Sequence, residues 1–324
     1  MTVSFEWPAS HRFSRDAERA AERQSRDAVA QWLSDAQIDP SVNALLADLY
    51  VPMAAWLTQL REQRSEPLVV GICGGQGSGK STISALVKLV LAHGFGQRAV
   101  AWSIDDIYKT HEARAAMAES VHPLFATRGV PGTHDIDLGV DLLEALIGLE
   151  AGQSVGVPTF DKALDTRADE SQWPTCEGPL DIIIVEGWCV GAVAQTQEAL
   201  REPTNVLEAD EDATGNWRRE VNRALRDDYP RLFGRLDLLM LLAVSGMERV
   251  FEWRRLQEAK LRASLATRAD EGVPLRTMTD EQVDRFVMHY ERITRHILAE
   301  MPARADAVMP IDESHNPASI RFKR

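Results

Sequence analysis

Gly74-Gly75-Gln76-Gly77-Ser78-Gly79-Lys80-Ser81-Thr82 constrains this chain more than any other segment of its length. A glycine, four residues and then Gly-Lys-Ser is the spacing of a phosphate-binding loop. Pro67-Leu68-Val69-Val70-Gly71-Ile72-Cys73 precedes it and reads as a buried parallel strand. Ile83, Leu86, Val87 and Val90 follow at helical spacing. Gly75, Gly77 and Gly79 let the backbone curl so that successive N–H groups point inward at phosphate oxygens. The helix starting near Lys80 adds the positive end of its dipole. Lys80 is expected on the β- and γ-phosphates, and the Ser81 hydroxyl at Mg2+. The whole run from Gly74 to Thr82 is therefore the candidate ATP-binding segment.

The 324 residues allow one large or two modest domains. Charged residues make up 26% and hydrophobic ones 44%, the balance of a soluble globular protein. Lys and Arg total 36 against 49 Asp and Glu, a formal net charge of -13. That argues against a nucleic-acid partner, and it obliges any anionic substrate to find a local basic cluster. Cys73, Cys176 and Cys189 have neither paired nor metal-type spacing, which implies a reducing compartment without disulfides or zinc. No apolar run reaches membrane-spanning length, so no membrane association is expected. The charged stretch from Met1 to Arg26 has no apolar signal core, and the cytoplasm is the expected location.

Residues 1–65 read as a helical extension, with Ala28, Val29, Trp32, Leu33 and then Leu45 to Leu57 at helical spacing, interrupted at Pro40 and Pro52. A core face and an oligomer interface both fit that pattern; the oligomeric state is not legible. Residues 66–324 form the main domain. A second strand, Arg98 to Ile104, ends in Asp105-Asp106-Ile107-Tyr108. Strand C-termini line the ligand crevice of parallel α/β sheets. A kinase needs one carboxylate there to orient an acceptor hydroxyl and take its proton, and Asp105 is the candidate, with Asp106 a neighbour or part of the metal shell. Helix capping competes for the same residues. Tyr108 joins the acceptor-side candidates.

Arg128 to Asp137 is dense in turn residues. Asp137 suits the N-cap of an amphipathic helix through Leu138, Leu142, Leu143 and Leu146. His134 and Asp135 are the better ligand candidates, since a loop can spare their polar groups. Asp161, Lys162 and Arg167 follow Val157-Pro158-Thr159-Phe160; the two cations offer the basic pocket that the acidic chain otherwise lacks, although a solvated charge run has the same composition. Asp181-Ile182-Ile183-Ile184-Val185-Glu186-Gly187 is a third strand ending in an acid, expected to hold a water of the Mg2+ shell. Leu236 to Val244 and Ala307 to Ile311 are the fourth and fifth strands. Between them, about 246–275, lies an arginine-rich helical lid region. Arg254 and Arg255 are the candidates for the phosphates there, with pairing to Glu252 and Glu258 the competing reading. The turn Asp312 to Pro317 is a candidate adenine wall or a plain turn.

Taken in order, the loop, Ser103-Ile104-Asp105-Asp106-Ile107-Tyr108, Gly132-Thr133-His134-Asp135, Phe160-Asp161-Lys162, Arg167-Ala168-Asp169, Val185-Glu186-Gly187-Trp188, Trp253-Arg254 and Asp312 to Pro317 resemble the plant-type D-glycerate 3-kinase family. That family sits near uridine kinase, pantothenate kinase and phosphoribulokinase among P-loop kinases. The resemblance runs from about residue 68 to 318. It implies an α/β P-loop fold with a five-stranded parallel sheet and transfer of the ATP γ-phosphate to the 3-hydroxyl of D-glycerate. By similarity Asp105 is the base and Glu186 lies at the metal. Two departures stand out: Ile107 replaces an aromatic, and the segment between Lys162 and Arg167 lacks the glycines of the plant-type pattern. A kinase acting on another small alcohol (nucleoside, pantothenate-like or sugar) and an ATP-binding protein without turnover are the alternatives. A GTPase would carry Asn-Lys-x-Asp, and a metal carrier a cysteine cluster; the sequence has neither.

Overall fold

Side chains alternate along the central strand, β1 (Leu68–Gly74): Leu68, Val70 and Ile72 enter one apolar cluster, Val69 and Cys73 another. Successive strand residues point to opposite faces, so burial of both sets requires cover on both sides. The computed structural model describes residues 5–162, 164–266, 278–313 and 315–323. After β1 come β2 (Ala99–Ser103), the short pairs β3 (Ser154–Gly156) with β6 (Thr175–Glu177) and β4 (Phe160–Asp161) with β5 (Thr166–Arg167), then β7 (Ile182–Gly187), β8 (Leu238–Ala243), β9 (Ala307–Pro310) and β10 (Arg321–Phe322). The main sheet has the order β10-β9-β8-β1-β7-β2. Its five longer strands are parallel, as expected from sequence; β10 adds an antiparallel edge.

The helices are α1 (Arg15–Asp35), α2 (Val51–Glu62), α3 (Lys80–Phe95), α4 (His111–Ser120), α5 (Ile136–Ile147), α6 (Val206–Glu211), α7 (Asn216–Asp227), α8 (Pro230–Phe233), α9 (Met247–Ala266) and α10 (Asp280–Glu300). Buried residues of α1, α2 and α3 share the cluster with Val70 and Ile72; those of α5, α7 and α8 share the one with Val69. Helix α10 contributes Val287 to the first and Ile293 to the second. Pro40 opens a 3₁₀ turn and Pro52 sits in the first turn of α2, where a missing N–H costs little. Trp7, Trp56 and Phe322 meet edge to face or tilted at 5.0 to 6.3 Å between ring centres. One hydrophobic cluster therefore runs through residues 5–57, the sheet and β10 without a break at residue 65.

The segment behind the acceptor side is crowded at Gly129, whose φ is +125°. The Trp188 indole donates to the Gly129 carbonyl at 3.0 Å and the Tyr290 hydroxyl to the Arg128 carbonyl at 2.9 Å. A Cβ at Gly129 would lie 1.9 Å from the Tyr290 oxygen, whereas one at Gly152 (φ +81°) would meet open space. Gly152→Ala is expected to lose only the ~1 kcal/mol of left-handed strain. Gly129→Ala adds overpacking and should lose at least about 3 kcal/mol. Urea denaturation of both variants checks this; equal losses would remove crowding as the cause.

Candidate active site

The phosphate loop takes the left-handed backbone that only glycine adopts freely, with φ +79° at Gly77 and +84° at Gly79. Gly79 precedes the first residue of α3, so Lys80, Ser81 and Thr82 bring the helix N-terminus to the loop. Lys80 Nζ donates to the Gly75 carbonyl at 3.2 Å, folding its side chain back over the loop. The Ser81 hydroxyl donates to Glu186 Oε1 at 2.7 Å. Register explains that meeting: Glu186 lies opposite Ile72 of β1 and Ser103 of β2. Trp253 of α9 lies against Gly77, and His315 Nδ1 donates to the Gly77 carbonyl at 3.0 Å. The two rings are 4.2 Å apart between centres. The loop is thus walled by α9 and the turn after β9.

One strand over, Ser103 starts the 3₁₀ turn Ile104–Ile107 through a capping box: its hydroxyl accepts the Asp105 N–H at 3.2 Å, and Asp106 Oδ2 accepts the Ser103 N–H at 3.1 Å. Asp106 Oδ1 also accepts from the Phe160 N–H at 3.4 Å. Asp106 is therefore a main-chain fastener. Burial pushes its carboxyl up to about 6, against the two N–H groups. Asp105 meets a different environment. Tyr108 Oη donates to its Oδ1 at 2.8 Å and Lys162 Nζ to its Oδ2 at 3.0 Å. Burial pushes Asp105 up, but the Lys162 charge and the Tyr108 hydroxyl outweigh it and hold the carboxyl below the usual range. Of the two acids, Asp105 holds its charge to lower pH, while Asp106 gains a proton as pH falls through about 6. Arg167 Nη1 donates to Asp135 Oδ2 at 3.0 Å, and Asp161 Oδ1 accepts the Leu164 N–H at 2.9 Å.

One sequence expectation is corrected by this geometry. The N-cap of α5 is Asp135, which accepts the Leu138 N–H at 3.3 Å; Asp137 is exposed in the first turn and pairs with Arg231 at 2.5 Å. His134 is buried: its ring stacks on Tyr108 at 4.6 Å and Nδ1 meets the Tyr229 hydroxyl. Burial pushes its pKa down to about 3, which keeps it neutral. Arg254 and Arg255 both pair with acids, Arg254 within α9 and Arg255 across to α10. Arg254 pairs with Glu258 at 3.1 Å and lies over Phe286; Arg255 donates to Asp284 at 2.7 Å. Residues 267–275 of the expected lid lie outside the described residues. Arg114, Arg128 and Asp165 form an ion cluster beside the site that the sequence reading missed. Arg114 has no sequence signal, lying on a short helix of ordinary pattern; Asp165 has a weak one, as an acid in a turn between two cations.

No family model matches the chain. The chain is 29% identical over 309 residues to the chloroplastic D-glycerate 3-kinase of Arabidopsis thaliana, covering 88% of this chain and only 63% of that protein. It is 32% identical over 244 residues to an uncharacterized kinase of Schizosaccharomyces pombe, covering 72% of this chain and 82% of the relative. The chain belongs to the D-glycerate 3-kinase family of P-loop kinases. Its fold is that of a solved D-glycerate 3-kinase from Cryptococcus neoformans, with a TM-score of 0.68 at 21% identity over 85% of this chain and 99% of that one. No helix among the described residues is long and apolar enough to cross a membrane.

In this P-loop kinase, Asp106 carries a pH dependence of known sign. Its folded pKa, about 6, stands above the ordinary aspartate value. It therefore contributes stability that is complete below the unfolded pKa and lost as pH rises through about 6. Asp106→Asn should remove that loss, gaining on the order of 2–3 kcal/mol relative to the parent protein between pH 4 and pH 7. Urea midpoints across that range test it, and parallel profiles for the two proteins would sink it.

Proposed function

We propose that this kinase transfers the γ-phosphoryl group of ATP to the 3-hydroxyl of D-glycerate, giving 3-phosphoglycerate. The observation that carries the reading is the strand register. Glu186 is flanked by β1, which feeds the phosphate loop, and by Ser103, which leads into Asp105. Phosphate donor site and ionised carboxylate are thereby neighbours across a single strand.

The loop amides from Gly74 to Gly79 and the α3 N-terminus hold the triphosphate, with Lys80 supplying a charge for its outer phosphates. Gln76, Ser78 and Thr82 complete that segment. The Ser81–Glu186 oxygen pair suits Mg2+, which takes few protein oxygens and keeps waters and substrate phosphates as its other ligands. When bound, the ion neutralises charge that develops on the phosphate oxygens. Asp105 orients the acceptor hydroxyl and accepts its proton, and Tyr108 steadies the carboxylate through its hydroxyl. Lys162 and Arg167 already hold carboxylates, those of Asp105 and Asp135, and a substrate carboxylate matches the same donors. The kinship with a plant protein named for D-glycerate makes that acid the first choice of acceptor. The free thiols of Cys73, Cys176 and Cys189 suit a reducing compartment such as the cytoplasm.

Isolated protein with ATP and Mg2+ should release ADP with D-glycerate and not with nucleosides, pantothenate or sugars. Release with one of those instead replaces glycerate as acceptor, and nucleotide binding without acceptor-dependent ADP overturns the catalytic reading. Asp105→Asn should keep ATP affinity and lose about 10²- to 10⁴-fold in kcat, the worth of a positioned base. A loss below tenfold removes Asp105 from that role.

A further inference from the structure

Lys162 and Arg167 lie on either side of the reversal between β4 and β5, where Phe160 pairs with Arg167 and Asp161 with Thr166. That reversal contains Asp165 at φ +55°, a left-handed conformation that an acid adopts at a cost and glycine adopts freely. No glycine stands between Lys162 and Arg167. Here the turn is made by a residue with a side chain, and that side chain is heavily engaged. Arg114 pairs with Asp165 Oδ2 at 2.8 Å, Arg128 pairs with Oδ1, and His111 Nδ1 stands at 3.5 Å. Arg114 also donates to the Asp165 carbonyl at 2.8 Å, so side chain and main chain are gripped together.

The grip is anchored in the core. Arg114 is 1% exposed and spends its other donors on the carbonyls of Lys109 and Ala126, at 3.2 and 2.7 Å. Arg128 lies over the Phe160 ring, 5.4 Å from its centre. An exposed ion pair would hold little, but a carboxylate shared by two arginines, one of them buried, fixes a geometry. Burial pushes the Asp165 carboxyl up, yet the two guanidinium groups outweigh it and keep it below the usual range, so the pairs persist at neutral pH.

We infer that Asp165 is a positioning residue for the acceptor: clasped by Arg114 and Arg128, it sets the turn that puts Lys162 beside Asp105 and Arg167 beside Asp135. The inference rests on the reading of Lys162 and Arg167 as the groups that bind the substrate acid. It acts through those two side chains and leaves the phosphate loop alone.

Steady-state kinetics of Asp165→Asn and Arg128→Gln test it; Asn tolerates the positive φ while removing the charge. Each should raise the acceptor KM about tenfold or more and leave the ATP KM within about twofold. In a chain already carrying both Lys162→Ala and Arg167→Ala, Asp165→Asn should add little further, since both groups through which it acts are then gone. Equal rises in the two KM values, no rise in either, or a full further rise in the chain lacking Lys162 and Arg167 would overturn the assignment. If the parent protein turns over no hydroxy acid, the functional reading fails. The clasp is then judged by hydrogen exchange: faster exchange across residues 159–168 in Asp165→Asn upholds it and unchanged exchange refutes it.

Discussion

The hydrogen bond from Ser81 to Glu186 ties the first turn of the helix behind the phosphate loop to the end of the neighbouring strand. It joins groups 105 positions apart in sequence, and it forms only because β7 lies between β1 and β2. Move β7 one place and the acid no longer stands between the loop and Asp105. The sheet order is in turn enforced by apolar packing, since Ile182 and Ile184 belong to one buried face and Ile183 and Val185 to the other. A one-residue slip of β7 would exchange those faces and withdraw the carboxylate together.

How much of this was legible in sequence follows from the length scale of each signal. Of the five parallel strands, β1 and β7 are apolar runs buried on both faces, and β2, β8 and β9 are largely apolar too; such runs announce themselves. Strands β3 to β6 and β10 span two or three residues each, too short for any periodicity. The phosphate loop is legible because its chemistry needs glycines at fixed places. The acceptor side is not, because its geometry depends on which neighbour each polar group finds. Asp137 looks like the cap of α5 and Asp135 like a ligand, and only the folded backbone shows that Asp135 is the cap. His134 looks like a loop ligand until Tyr108 and Tyr229 enclose it. Arg254 and Arg255 look like lid residues, and only the fold shows that each has an acid partner, Glu258 and Asp284.

The charge arrangement of the acceptor side follows from the same constraint. The chain is strongly acidic overall, yet Lys162, Arg167, Arg114 and Arg128 gather around three carboxylates, Asp105, Asp135 and Asp165. Unpaired cations in a half-buried pocket are costly, so the folded protein supplies its own anions. On the proposed reading an incoming acid exchanges with these internal partners and adds no new burial of charge. Only the difference between the two sets of contacts then appears as affinity. Releasing Lys162 from Asp105 also removes the charge that depresses this carboxyl, so acceptor binding would raise the proton affinity of the base where it is needed.

Such an arrangement separates what the fold conserves from what a particular kinase can change. Loop, α3 and Glu186 are bound into the central sheet by register, and any substitution there disturbs the donor site. The β4–β5 turn contributes two short strands and hangs on Arg114, Arg128 and Asp165, outside the main sheet. On the proposed reading acceptor choice belongs to this small clasped turn, which the chain builds without glycine by holding an aspartate between two arginines.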